Sequence, residues 1–114
     1  VPQDIKMVNT CPAPRVNSTL LGQHVGSTVC VVGKVKGPPQ GGMLYLEGAD
    51  GGDVVIDRSS ASREINSEFV EVVGVVQPDR TVEELRSTDF GSDFDLKMYN
   101  EVVLLSNGPL KHIF

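Results

Sequence analysis

The sequence predicts a small, strongly curved all-β domain: a five-stranded Greek-key barrel with a short capping helix and a C-terminal α-helix. Three observations predict it. In residues 28–36, TVCVVGKVK, the first half is apolar on both faces of an extended strand, as where a strand is covered on both sides; from Gly33 the pattern alternates, with Val35 on one face and Lys34 and Lys36 on the other. The same arrangement, V-x-V-V-G-x-V, recurs at residues 70–76, and a glycine at the change of burial rule permits the bend that carries a strand around a barrel. Lastly, residues 94–105, FDLKMYNEVVLL, change from the strand period to a helical one.

A chain of 114 residues with 39% apolar content fits one domain around one core. At this size roughly two-thirds of the unfolded surface is buried, so no second core is expected. The sequence has no run of about 18 apolar residues and no basic-plus-apolar start, so neither a membrane span nor a secretory signal is expected, and the chain reads as soluble and intracellular. Cys30 sits inside the apolar strand and Cys11 among prolines, with no C-x-x-C and no neighbouring His, so Cys30 reads as a buried structural thiol. The formal net charge is −5 and the 10 basic residues are scattered. A stand-alone nucleic-acid binder needs them clustered.

Residues 1–13 read as an irregular leader, 14–91 as the barrel, 92–107 as the helix and 108–114 as a tail. Asn17 or Ser18 can cap a short helix through Leu20, Leu21 and Gln23 that Gly26 stops, plugging one end of the barrel. Residues 37–42, GPPQGG, form a loop, and no Gly-Lys-Ser/Thr follows to make it a phosphate cradle. Residues 43–47 alternate, with Leu44 and Leu46 opposed to Met43 and Tyr45; Asp50-Gly51 marks a tight hairpin, and residues 53–57 return with Val54 and Ile56 inward. Asp50, Asp53 and Asp57 lack the closing Glu of a calcium loop, and no metal is expected.

The polar, Ser-rich residues 58–66 suit a short helix or loop before a fourth strand at 69–76, which Gln77-Pro78-Asp79 ends. Residues 81–89 must supply the fifth strand. Val82 and Leu85 fit no clean alternation there, which leaves a bulge or a partly helical segment open. In the last element Met98, Val102 and Leu105 share a helical stripe with Tyr99 and Val103 beside it, Ser92 and Asp95 approximate a capping box, and Gly108-Pro109 is the stop. A short buried strand over 102–105 is the alternative.

Pro14-Arg15-Val16-Asn17 before the plug, VCVVGKV at 29–35, VEVVG at 70–74 and above all FDLKMYNEVV at 94–103 carry, in that order and spacing, a resemblance to a known family. It is that of the smallest subunits of replication protein A, the eukaryotic single-stranded DNA-binding heterotrimer built on oligonucleotide-binding (OB) folds. The resemblance spans most of 14–110 and departs around Glu83-Glu84, in the 58–66 connector and in the leader. It implies a mainly structural, nuclear subunit serving DNA replication, repair and recombination. Its terminal helix would join one helix from each of the two larger subunits in a bundle, with direct contact to single-stranded DNA weak or absent.

The residues read independently in the same direction. A helix added to a complete barrel has more apolar surface than the barrel can cover, so Phe94, Leu96, Met98, Tyr99, Val102, Val103 and Leu105 are the expected partner-binding side chains. The bland alternative is a helix folded back on its own barrel. A direct single-strand binder needs aromatic and basic side chains on strands two and three, where Lys34, Lys36, Tyr45 and Arg58 are the candidates for a weak contact. A telomere-capping trimer on the same plan is a further alternative. His24 and His112 stand in no catalytic context, no nucleophile elbow occurs, and neither an enzyme nor a cofactor is expected.

Val31→Asp or Val72→Asp should unfold the chain, because either places an unpaired charge where nothing solvates it. Near-unchanged thermal unfolding of either variant would refute the assigned strand faces.

Overall fold

A computed structural model describes residues 13–59, 61 and 64–107. Five strands, β1 (Thr28–Val35), β2 (Met43–Gly48), β3 (Asp53–Asp57), β4 (Phe69–Val76) and β5 (Val82–Gly91), precede a helix, α1 (Leu96–Ser106). The strands close a barrel in the order β1-β2-β3-β5-β4. Neighbours are antiparallel except β3 and β5, which pair in parallel at Ile56–Val82 and Asp57–Glu83.

β1 pairs with β4 from Thr28 to Lys34 but with β2 only from Gly33 onward, so Gly33 is where the strand gains its second neighbour. The crossing is close: a Cβ there would lie 2.8 Å from the Glu47 carbonyl oxygen and 2.9 Å from Leu46 Cβ. At Gly74, where the β4–β5 register shifts, a Cβ would be driven into the Glu83 carbonyl oxygen and come within 2.7 Å of Val82 Cγ1. Both glycines of the repeated pattern are thus required by space. Before Gly33 the β2-side edge of β1 is taken by residues 14–16: Cys30 N donates to Pro14 O at 2.8 Å and Val16 N to Cys30 O at 3.0 Å.

Val29 and Val31 point into the barrel, where the core holds Val16, Leu21, Leu44, Leu46, Val54, Ile56, Val70, Val72, Val76 and Val82. Cys30 and Val32 point outward and are buried nonetheless. Cys30 packs with Val73 and Ala13, and Val32 lies beneath Tyr99 and Val103 of α1.

The expected plug is a single 3-10 turn, Leu21–Gln23, preceded by Asn17, whose Oδ1 accepts from Leu20 N at 3.1 Å. The hairpin at Asp50-Gly51 is present, and its carboxylate reaches back to the plug. Asp50 accepts from Ser18 Oγ at 2.8 Å, Thr19 Oγ1 at 2.7 Å and Thr19 N at 3.1 Å. Partial burial opposes its ionisation, but the hydrogen bonds from Thr19, Ser18 and Gly52 outweigh that and hold the carboxyl at about 2.

β5 is a strand throughout, which removes the partly helical alternative. It carries the bulge: Val73 pairs with Arg86 and Gly74 with Glu84, leaving Leu85 unopposed and turned to solvent. Its inward positions opposite Gly74, Val72 and Val70 are Glu84, Ser87 and Asp89, and polar residues on the inner face abolish the alternation. The leader with Cys11, Ser60, Ser62, Arg63, the Gly108-Pro109 stop and the tail with His112 lie outside the described residues; the described part of the 58–66 connector is neither helix nor strand.

Gly74→Ala should lower stability by about 1–3 kcal/mol, seen as a lower urea midpoint at unchanged slope. Because Asp50 is depressed to about 2 in the folded chain against roughly 3.9 unfolded, its contribution is complete above the unfolded value and is lost as pH falls through the folded one. Across that window the wild type should lose stability that Asp50→Asn does not; parallel pH profiles would refute the assignment.

Candidate partner-binding helix

α1 begins where Asp95 Oδ1 accepts from Met98 N at 2.9 Å and ends at Asn107, whose Nδ2 donates to Val103 O at 2.9 Å and to Arg15 O at 2.7 Å. Eleven residues make a marginal helix in water, so its order depends on packing. Tyr99 and Val103, one turn apart, are buried on Val32 of β1, a contact that contributes roughly 3–6 kcal/mol gross. The Phe94 ring stacks at 5.9 Å from Phe69, 5.0 Å from Phe90 and 5.9 Å from Tyr99. Asn17 Nδ2 donates to Asn100 Oδ1 at 2.9 Å, and Cys30 Sγ donates to Glu71 Oε2 at 3.1 Å beneath the helix.

This docking divides the expected partner-binding set. Tyr99 and Val103, with half-buried Phe94 and Leu96, pack against the chain's own barrel, because Val32 offers an outward apolar face that a barrel counted only by its interior does not reveal. Phe94 also precedes the helix rather than opening it. Met98 and Leu105 remain 56% and 50% exposed, with Val102 half-buried between them. At about 100° per residue these three fall within roughly 60°, and their 4-then-3 spacing is that of knobs in a helix–helix seam. Leu104, outside the expected set, is 54% exposed on the opposite flank. In the run VVLL the helical period does not say which side chain faces the barrel, so no local signal marks Leu104.

The outer face of β2 and β3 holds the expected DNA-contact residues differently. Tyr45 is exposed opposite Val55. Lys34 Nζ lies 3.3 Å from Glu68, and Lys36 is ion-paired with Asp53. Arg58 is removed from the surface: its Nε donates to Glu84 Oε1 at 2.7 Å and its Nη2 to Oε2 at 3.3 Å, with the two side chains 9% and 5% exposed. That bidentate pair neutralises the inward carboxylate of β5. Asp57 is held below the usual carboxylate range by hydrogen bonds from Ser59 N and Oγ. The face therefore sets Glu47, Asp53, Asp57 and Glu68 against Lys34 and Lys36, which is unfavourable for a polyanion.

Residues 7–113 match the family described as Replication factor A protein 3. The replication protein A 14 kDa subunit of Oryza sativa subsp. japonica is 33% identical over 103 residues, 90% of this chain and 94% of that protein. Among solved structures, U. maydis replication protein A bound to ssDNA is similar at 37% identity and a TM-score of 0.76, over 84% of this chain and 90% of that one. The S. pombe Stn1–Ten1 complex is similar in fold alone, at 18% identity and a TM-score of 0.66, over 80% and 88% of the two chains.

Tyr99→Ala should cost the isolated chain about 3–5 kcal/mol as a buried aromatic truncation, whereas Met98→Asp should stay within about 0.5 kcal/mol. Equal losses in urea denaturation would mean that α1 does not dock through Tyr99.

Proposed function

The chain belongs to the Replication factor A protein 3 family, that of the smallest replication protein A subunit, and we propose that it is the structural subunit of a nuclear heterotrimer. In that complex it serves DNA replication, repair and recombination through α1, without acting as an enzyme. The observation that carries this is the division of the helix: with Tyr99 and Val103 already covered by β1, Met98, Val102 and Leu105 still form an apolar seam on a docked, ordered element. One helix from each of the two larger subunits would cover the exposed flanks. Burying Met98, Val102, Leu104 and Leu105 contributes roughly 6–12 kcal/mol gross. That is about the size of the association cost of roughly 4–15 kcal/mol, so a stable trimer needs contacts beyond these four side chains.

Single-stranded DNA is engaged by the complex, as the ssDNA-bound U. maydis relative supports. Contact by this chain alone is weak, since Lys34, Lys36 and Arg58 are paired with carboxylates and Tyr45 alone offers a stacking ring among the expected contact residues. The likeness to the Stn1–Ten1 complex concerns the fold and does not favour the telomere-capping alternative.

Val102→Asp with Leu105→Asp, co-expressed with the two larger subunits, should abolish co-elution in size exclusion while circular dichroism retains the barrel signal. A co-eluting full trimer would contradict the assignment. The isolated chain should bind oligothymidine weakly and lose it steeply with salt; a salt-tolerant complex that Tyr45→Ala abolishes would make it a direct binder.

A further inference from the structure

Arg15 is only 7% exposed, yet among the described residues no hydrogen bond or ion pair reaches its guanidinium. Its backbone is fixed against β1: Arg15 bridges Cys30 in parallel, and its carbonyl accepts from Asn107 Nδ2 at 2.7 Å. Val16, the next residue, points into the barrel. The Arg15 side chain therefore shares the outer face with Cys30, beside the last turn of α1. Glu71 on the same wall takes the Cys30 thiol at 3.1 Å and forms no ion pair with Arg15. None of the Arg15 nitrogens is among the fully buried unpartnered atoms, so the fork of N–H donors reaches the surface while its stem is covered.

A guanidinium carries its charge at every pH a protein meets, and it matches a planar two-oxygen acceptor. Left largely desolvated and unpaired it is unfavourable, and the negative end of a helix supplies only a fraction of a compensating charge. We propose that an aspartate or glutamate carboxylate of a larger subunit pairs with Arg15 when that subunit's helix lies along α1, a pairing that rests on the assembly role above. At about 100° per residue Asn107, which holds Arg15, projects near Leu104 and about 140–160° away from Val102 and Leu105, so the partner helix that covers the Leu104 flank is the one within reach of the guanidinium. A protein carboxylate fits better than a DNA phosphate, because Arg15 lies beside the C-terminal end of α1 and away from the Tyr45 face, and the chain's net charge of −5 repels a polyanion.

Two variants in the full complex test this. Arg15→Lys, treated with a zero-length carbodiimide and digested, should give a link from position 15 to an acidic residue of a larger subunit; a link only to Glu71 of the same chain overturns the proposal. Arg15→Met, which keeps most of the stem, should weaken the complex at least about tenfold on dilution and leave the free chain's thermal midpoint unchanged or raised. A lowered midpoint with wild-type complex affinity makes Arg15 internal to the fold, and loss of oligothymidine binding at wild-type complex affinity assigns it to phosphate; either overturns the pairing. Failure of the assembly role shows separately, as an intact trimer with Val102→Asp and Leu105→Asp. Loss of that trimer with full affinity in Arg15→Met overturns the pairing alone.

Discussion

The structure depends on the burial of both faces of β1. Val29 and Val31 fill the barrel, and Cys30 and Val32 on the outside are covered just as fully. Two apolar side chains on an outer wall need a cover, and the chain supplies it: Ala13 packs on Cys30, with residues 14–16 hydrogen-bonded along the β1 edge, and α1 covers Val32. The terminal helix is therefore part of the domain. A helix held in place presents its second face already ordered, which lowers the entropy cost of recruiting a partner compared with a free tail.

Much of this was legible because its causes are local. Strand faces follow from period two, the Asp50-Gly51 turn from turn chemistry, and Gly33 and Gly74 from the change in burial rule, although the reason they are glycine, the close approach of a neighbouring backbone, needs the barrel itself. β5 was not legible. Its inward Glu84 is tolerated because Arg58, from a different part of the chain, pairs with it, and a period count cannot see a long-range partner. The docking face of α1 was hidden for a related reason. Double burial at residues 29–32 announced that something covers the outside of β1, but only the fold says that Val32 meets Tyr99 and Val103.

The surface charges favour an architectural role. Lysines on the outer face of β2 and its neighbours are matched by carboxylates, and the arginine expected there serves the barrel interior. Arg15 differs from these, being covered and without an ion-pair partner among the described residues, and it lies beside the helix rather than on the Tyr45 face. The apolar seam and this cation lie on different flanks of α1, and the proposed larger subunits would cover one each.

The most direct measurement is amide hydrogen exchange of the isolated chain, followed residue by residue. If α1 is docked through Tyr99 and Val103, its amides from Asn100 to Asn107 will show protection approaching that of β1, and Val32→Ala will remove it from the helix while the barrel strands stay protected. Helix amides that exchange at unprotected rates in the wild type, beside a protected barrel, would contradict the docked helix and with it the ordered second face.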